Sequence, residues 1–272
     1  KVNQKRISTN MVIHNGDNID IYIDDVYLYN LPKKLNYIYT DDNILVVYIP
    51  DGILSNNETS VILEPTFEDL VKKDFKNAKI CHRIDRNTSG LLIFALNNQA
   101  FESMLKGFKE GYIHKQYIAY VNNYKFDKNS QTIEKYILKD SKTGFCKIYD
   151  SKIPNSQRIL TKYDVLKVDK KYNYAILQIQ IPTGRTHQIR AQMKEIGHPI
   201  IGDSKYGNNI INKKFSIFKQ LLVAYKYNFD FPKDSFLYYL NEKCFTLDKK
   251  LYWFNLGEIY GINENRKKGQ KN

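Results

Sequence analysis

The stretch His82-Arg83-Ile84-Asp85-Arg86-Asn87-Thr88-Ser89-Gly90-Leu91-Leu92-Ile93-Phe94-Ala95 decides how this chain folds. It begins as a polar loop holding one carboxylate between two arginines, and it runs straight into an apolar segment. A short apolar run bounded by turn residues reads as a strand buried in a sheet. A rigid strand start holds the residues before it in place, as a reacting group requires. The guanidinium groups of Arg83 and Arg86 favour the ionised form of Asp85. On residue chemistry alone, the same stretch also reads as a surface Asp–Arg ion pair at a strand entrance.

Working outward, Ile44 to Ile49 is a second continuous apolar strand, stopped by Pro50-Asp51-Gly52. Thr66 and Asp69 have the spacing of a capping box and predict a helix through Leu70 and Val71. Asn97 or Asn98 caps the next helix, whose Phe101, Met104, Leu105 and Phe108 share one face before Gly111 ends it. Tyr117, Ala119 and Val121 alternate on a further strand, as do Ala175, Leu177, Ile179 and Ile181 on a later one. A helix from about Thr186 to Ile196 closes at Gly197, and Leu221 to Phe231 is another strand. Strands outnumber helices and follow one another in runs. The expected fold is therefore α+β, with a large mixed, mainly antiparallel sheet flanked by helices.

Residues 1–24 read as a unit apart, 25–35 as a linker with Pro32 and Lys33-Lys34, 36–260 as the main domain, and 261–272 as a basic, disordered tail. Within the first unit, Met11 to Ile23 predicts short β segments around Asn15-Gly16-Asp17, with Ile19, Ile21 and Ile23 alternating. The chain carries 42 Lys and Arg against 29 Asp and Glu, a net charge of +13. That excess speaks to partners: nucleic acid, an anionic membrane surface or an acidic protein. Its combination with 22 tyrosines suits RNA, whose phosphates need cations and whose unstacked bases need planar partners. An AT-rich genome would leave a similar composition. Cys81, Cys146 and Cys244 form no C-x-x-C pair, as expected of free thiols in a reducing compartment. No run approaches the roughly 18 apolar residues of a spanning helix, and Lys1-Val2-Asn3-Gln4 carries no signal-peptide core. The expectation is a cytoplasmic monomer with no membrane partner.

A second segment, Thr183-Gly184-Arg185-Thr186-His187-Gln188-Ile189-Arg190, follows a strand that ends at Pro182. A glycine turn opens a helix with Arg185 near its N-terminus, which suits an anion, either phosphate or a protein carboxylate. An ordinary cap with solvated arginines fits the same residues.

Together, H-R-I-D-R-N-T-S-G-L-L-I-F-A from His82 and T-G-R-T-H-Q-I-R from Thr183, with G-H-P-I-I-G-D-x-x-Y-G from Gly197, resemble the RluA-type pseudouridine synthase family. Lys115-Gln116-Tyr117-Ile118-Ala119 resembles its K-x-Y-x-A motif, and Gln220-Leu221-Leu222 with Ala224-Tyr225 its later strand. The resemblance spans roughly residues 36 to 247. Val2-Asn3-Gln4-Lys5-Arg6, with Gly16-Asp17-x-Ile19-x-Ile21, is similar to the second half of an S-four-like RNA-binding domain.

The resemblance implies roles at matching positions. Asp85 is the essential aspartate, Tyr117 stacks on the target base, and Arg185 is the basic residue that pairs with the aspartate. Arg83 is linked to flipping the nucleotide out, and Ile181 lines the base pocket. His82, His187 and Arg190, in the same motifs, are expected to contact the substrate. The implied reaction breaks the N1–C1′ bond of a uridine, turns the base and joins C5 to C1′. One carboxylate suffices, because the departing uracil is retained and leaves as a stabilised anion while charge develops on the ribose. Attack at C1′ and removal of the 2′ proton both remain open for Asp85. No metal or organic cofactor is implied, and Cys81, His82 and His187 lack zinc-ligand spacing. The implied substrate is structured RNA, large-subunit ribosomal RNA first and tRNA second. A reading of another class is a non-catalytic RNA-binding or ribosome-assembly protein. Tyr48-Ile49-Pro50 in place of N-K-P, Gln192 in place of His and Asn122-Asn123 in place of a Gly depart from the family pattern and bear on substrate choice.

Overall fold

The computed structural model describes residues 1–5, 7, 10–20, 31–56 and 65–253. Contacts divide the chain into two compact units, Lys1–Lys34 and Leu35–Asn272. In the first, Val2 makes isolated antiparallel bridges to Lys5 and Ile19. Gly16 turns at φ +97°, and the Asp17 carboxylate accepts from the His14 N–H and the Asn3 amide. Of the β segments expected from Met11 to Ile23, Ile19 makes its bridge to Val2, whereas Met11, Val12 and Ile13 form no strand and stay exposed, with no buried face to fix one. Arg6, Ile21, Ile23 and the linker up to residue 30 lie outside the described residues, as does the basic tail.

The second unit is built on one sheet, eleven-stranded among the described residues. Its strands are β1 (Asn36–Thr40), β2 (Ile44–Ile49), β3 (Lys79–Ile80), β4 (Ser89–Ala95), β5 (Ile113–Asn122), β6 (Ser130–Lys139), β7 (Cys146–Tyr149), β8 (Gln157–Asp169), β9 (Tyr174–Gln180), β10 (Leu222–Phe229) and β11 (Cys244–Thr246). The spatial order is β1-β2-β4-β10-β5-β9-β8-β6-β7, with β3 pairing β4 and β11 pairing β10. Every pairing is antiparallel except β4 with β10, where Ser89 lies opposite Val223 and Gly90 opposite Ala224. The sheet is mixed and mainly antiparallel, as the sequence predicts.

The parallel contact depends on one glycine. Gly90 sits at φ +142°, and a Cβ there would lie 2.4 Å from the Ala224 carbonyl oxygen. Only a residue without a side chain lets β10 approach β4 this closely. All seven residues of β4 are buried, in keeping with the apolar run from Leu91 to Ala95.

The helices begin where their caps require. The first, α1 (Phe67–Asp74), has the full capping box between Thr66 and Asp69, and α2 (Asn98–Glu110) is capped by Asn97 and closes on left-handed Gly111. Of the expected face of α2, Met104 is buried and Phe101 and Phe108 pack against the core, joined by Ala100 and Gly107, while Leu105 is exposed. At Gly107 a Cβ would meet the Phe231 ring at 2.6 Å, so the helix packs tightly there. In β5 the alternation of Tyr117, Ala119 and Val121 gives way to unbroken burial from Tyr117 to Val121, because this central strand is covered on both faces. The third helix, α3 (Gln188–Glu195), starts two residues later than expected, with His187 left-handed before it. No helix among the described residues is long and apolar enough to cross a membrane.

Candidate active site

The loop from His82 to Thr88 is pinned from three directions. The Ser55 hydroxyl donates to the Ile84 carbonyl at 3.1 Å and accepts from the Ile84 N–H at 3.2 Å. The Gly52 N–H donates to the Arg86 carbonyl at 2.7 Å. Gln220, just before β10, donates to the Thr88 hydroxyl at 2.7 Å. Within the loop, the Thr88 N–H closes a turn on the Asp85 carbonyl at 2.8 Å. Asp85 therefore has a fixed backbone on both sides.

Its carboxylate is held by Arg190, not by Arg185. Arg190 Nη1 donates to Asp85 Oδ2 at 2.9 Å. The rest of the same guanidinium forms a two-pronged contact with Asp203, at 2.7 and 3.0 Å. Asp203 is fully buried and also accepts from the backbone N–H groups of Lys205 and Tyr206. The Tyr206 ring lies 5.2 Å below the guanidinium carbon. Burial alone would lower the pKa of Arg190, but hydrogen bonds and charge from Asp203, then Asp85, raise it above the ordinary arginine value. Burial likewise opposes the charge on Asp203, yet Arg190 and the two N–H donors hold its carboxyl below the usual range.

The turn before the helix is closed by its own side chain. The Gln188 side chain folds back into the turn, accepting from the Arg185 N–H at 3.1 Å and the Thr183 hydroxyl at 2.9 Å. The N–H that the sequence offers to an anion is thus taken by the chain itself. Arg185 is left exposed, while Arg190, the third residue of α3, donates to Asp85.

A cavity of about 540 Å³ opens beside Asp85, walled by Tyr117, Ile181, Phe108, Lys115, Arg185 and His187 among others. Tyr117 is 7% exposed; burial first and the Asp85 charge second raise its hydroxyl pKa well above the ordinary range. Ile181, just past the end of β9, gives the cavity an apolar wall. Arg83 is exposed and borders both this cavity and an adjoining one of about 440 Å³, which shares Asp85, His187 and Arg190 with it. His187 bonds the Tyr206 hydroxyl through Nδ1 at 2.9 Å, and burial lowers its pKa against the opposing charge of Asp85. His82 lines the cavity, but its Nε2 accepts the Ile93 N–H at 3.2 Å and its ring packs on Phe108 and Tyr227. Burial pushes the pKa of His82 down to about 3, so it is neutral at physiological pH. All the expected residues thus border the cavity.

Sequence reasoning missed Ser55, Asp203, Tyr206 and Gln220 as supports. Asp203 left a signal: an aspartate inside an otherwise apolar G-H-P-I-I-G-D turn needs a buried cation, and Arg190 was available. Among the described residues no grouping of three or more His, Cys, Asp or Glu side chains is placed to hold a metal ion.

The RNA pseudouridylate synthase family matches residues 43–195 of the chain. The tRNA pseudouridine synthase C of Haemophilus ducreyi is 31% identical over 217 residues, covering 74% of this chain and 87% of that protein. The ribosomal large subunit pseudouridine synthase C of Rickettsia conorii is 31% identical over 273 residues, covering 92% and 83%. A solved structure, human RNA pseudouridylate synthase domain containing 1, superposes with a TM-score of 0.64 at 26% identity, over 80% of this chain and 84% of that one. The chain belongs to the RNA pseudouridine synthase family: it is an isomerase that makes pseudouridine in RNA.

Proposed function

We propose that the chain isomerises specific uridines in large-subunit ribosomal RNA, with Asp85 as the carboxylate that acts on the ribose. The observation that carries this reading is the Asp85–Arg190–Asp203 chain of ion pairs at the cavity edge. Charge develops on the ribose as the N1–C1′ bond breaks, and a carboxylate fixed by a rigid partner meets it without reorganising. In this reading Tyr117 stacks on the extruded base, Ile181 supplies the apolar wall, and Arg83 at the rim takes the space the base leaves in the RNA. His187 and Arg190 shape the ribose side, and His82 supports the base side. Arg190 takes the aspartate-pairing role that the sequence gives to Arg185. Residues 1–24 serve as a partial S-four-like RNA-binding module and residues 36–260 as the catalytic domain, and the enzyme works in the cytoplasm as a monomer.

Large-subunit ribosomal RNA is favoured because the Rickettsia conorii relative, named for that substrate, aligns with 92% of this chain. A tRNA substrate is the second reading, supported by the name of the Haemophilus ducreyi relative. The test is to map pseudouridines in RNA from cells lacking the gene, complemented with wild type or with Asp85→Ala. Wild type should restore sites in large-subunit RNA, and Asp85→Ala none. Restoration by both overturns the catalytic assignment, sites in tRNA select the second reading, and no change at all points to a binding protein.

A further inference from the structure

The cavity is lined by Arg83, Lys109, Lys115, Arg185 and Arg190 against a single carboxylate, Asp85, which Arg190 already engages. Lys115 stands two residues before Tyr117 on β5, so the two side chains leave the same face of the strand. The Lys115 ammonium lies 3.1 Å from where a Cβ on Gly184 would stand and 5.7 Å from the centre of the Phe108 ring. Gly184 is followed directly by Arg185, so the Lys115 ammonium lies against the residue that precedes Arg185. Neither side chain makes an ion pair among the described residues. Burial first, and the positive charge of Arg185 second, lower the pKa of Lys115 to about 8.

Two like charges brought together in a partly desolvated place destabilise the empty protein, and an arriving anion relieves that. A pair kept for structure has a carboxylate beside it; this one faces open cavity. Uridine is neutral, and the anionic part of the substrate is its backbone. From the placement of these groups we infer that Lys115 and Arg185, seated about Gly184, form a subsite that binds a phosphodiester flanking the target uridine. The guanidinium supplies a planar two-donor face and the ammonium a point charge, a combination suited to phosphate oxygens. This inference rests on reading the cavity as the uridine pocket.

The test uses the full chain and a single-stranded oligouridylate pentamer, with binding followed by fluorescence anisotropy across a salt series. Lys115→Gln should weaken binding about tenfold and reduce the salt slope by about 0.7, the value for one lost phosphate contact on a single strand. Lys115→Arg should restore most of both. Replacing the internal phosphodiesters one at a time by neutral methylphosphonate should reveal one linkage that costs wild type about tenfold and Lys115→Gln nothing. Lys115→Met should raise the melting temperature at pH 7, since it removes a charge the empty cavity does not match; a lower melting temperature with weaker binding would assign Lys115 a structural role instead. Losses that multiply at every linkage overturn the subsite. Unchanged affinity and salt slope with collapsed turnover also overturn it, and give the ammonium to the departing uracil anion. If wild type makes pseudouridine in cellular RNA while these binding results fail, the subsite alone is overturned; if it makes none, the reading of the cavity as a uridine pocket fails first and the subsite with it.

Discussion

Arg190 spans two carboxylates with one rigid side chain, and a lysine could not. Arg190→Lys keeps the charge but offers one point donor, so either Asp85 or Asp203 loses its partner. We expect turnover to fall about 100-fold, the scale set by misplacing a reacting group by about an ångström. Single-turnover kinetics with RNA affinity measured in parallel would check it, affinity changing little. Asp203→Asn should instead cost about 3 kcal/mol of stability, because it leaves a buried guanidinium with only the more exposed Asp85 as counter-charge. The sign of the pH effect follows from Asp203 having a folded pKa below its ordinary value of 3.8. Its contribution is complete above that value and is lost as pH falls through the folded one. Acid unfolding of wild type should therefore steepen below about pH 4, and Asp203→Asn should flatten that part of the curve. At this scale the sequence was only partly legible. That Asp85 and Tyr117 border one cavity was legible, because each stands in a long ordered motif. The choice between Arg185 and Arg190 was not, since it turns on where α3 begins, and the Gln188 side chain decides that by closing the turn ahead of the helix.

Among the elements, β4 and β10 carry the tightest constraint. Gly90→Ala would push a methyl group into the Ala224 backbone at a φ that L residues rarely adopt. The expected cost exceeds about 3 kcal/mol, read by denaturant unfolding, and activity should fall with it because Asp85 hangs from the same strand. Thr66→Ala removes half of the α1 capping box and should cost about 1 kcal/mol with activity unchanged. Strands β2 and β4 and the starts of α1 and α2 were legible because continuous apolar runs and side-chain caps are local signals. Strands β6, β7 and β8 were not legible: their faces are largely exposed and polar, and long-range pairing rather than local preference holds them.

For the whole molecule, a charge of +13 predicts that RNA affinity depends steeply on salt. Between 50 and 200 mM monovalent salt it should fall by on the order of 10³-fold, the range for six or more phosphate contacts. Asp85→Ala should follow the same slope, since it removes no cation. A flat response would tie the charge to composition and not to RNA. The mixed sheet was legible as a class, and the strand order was not, because no local signal tells β10 to lie between β4 and β5. That insertion has a consequence for how the protein is made. Asp85 precedes β4 and Tyr117 lies on β5, yet these strands are neighbours of β10 and not of each other. A nascent chain that has not yet released residues 222–229 holds the carboxylate and the tyrosine on two unjoined hairpin groups. The strand order therefore implies that the pocket closes only after residues 222–229 have left the ribosome, when most of the chain has emerged.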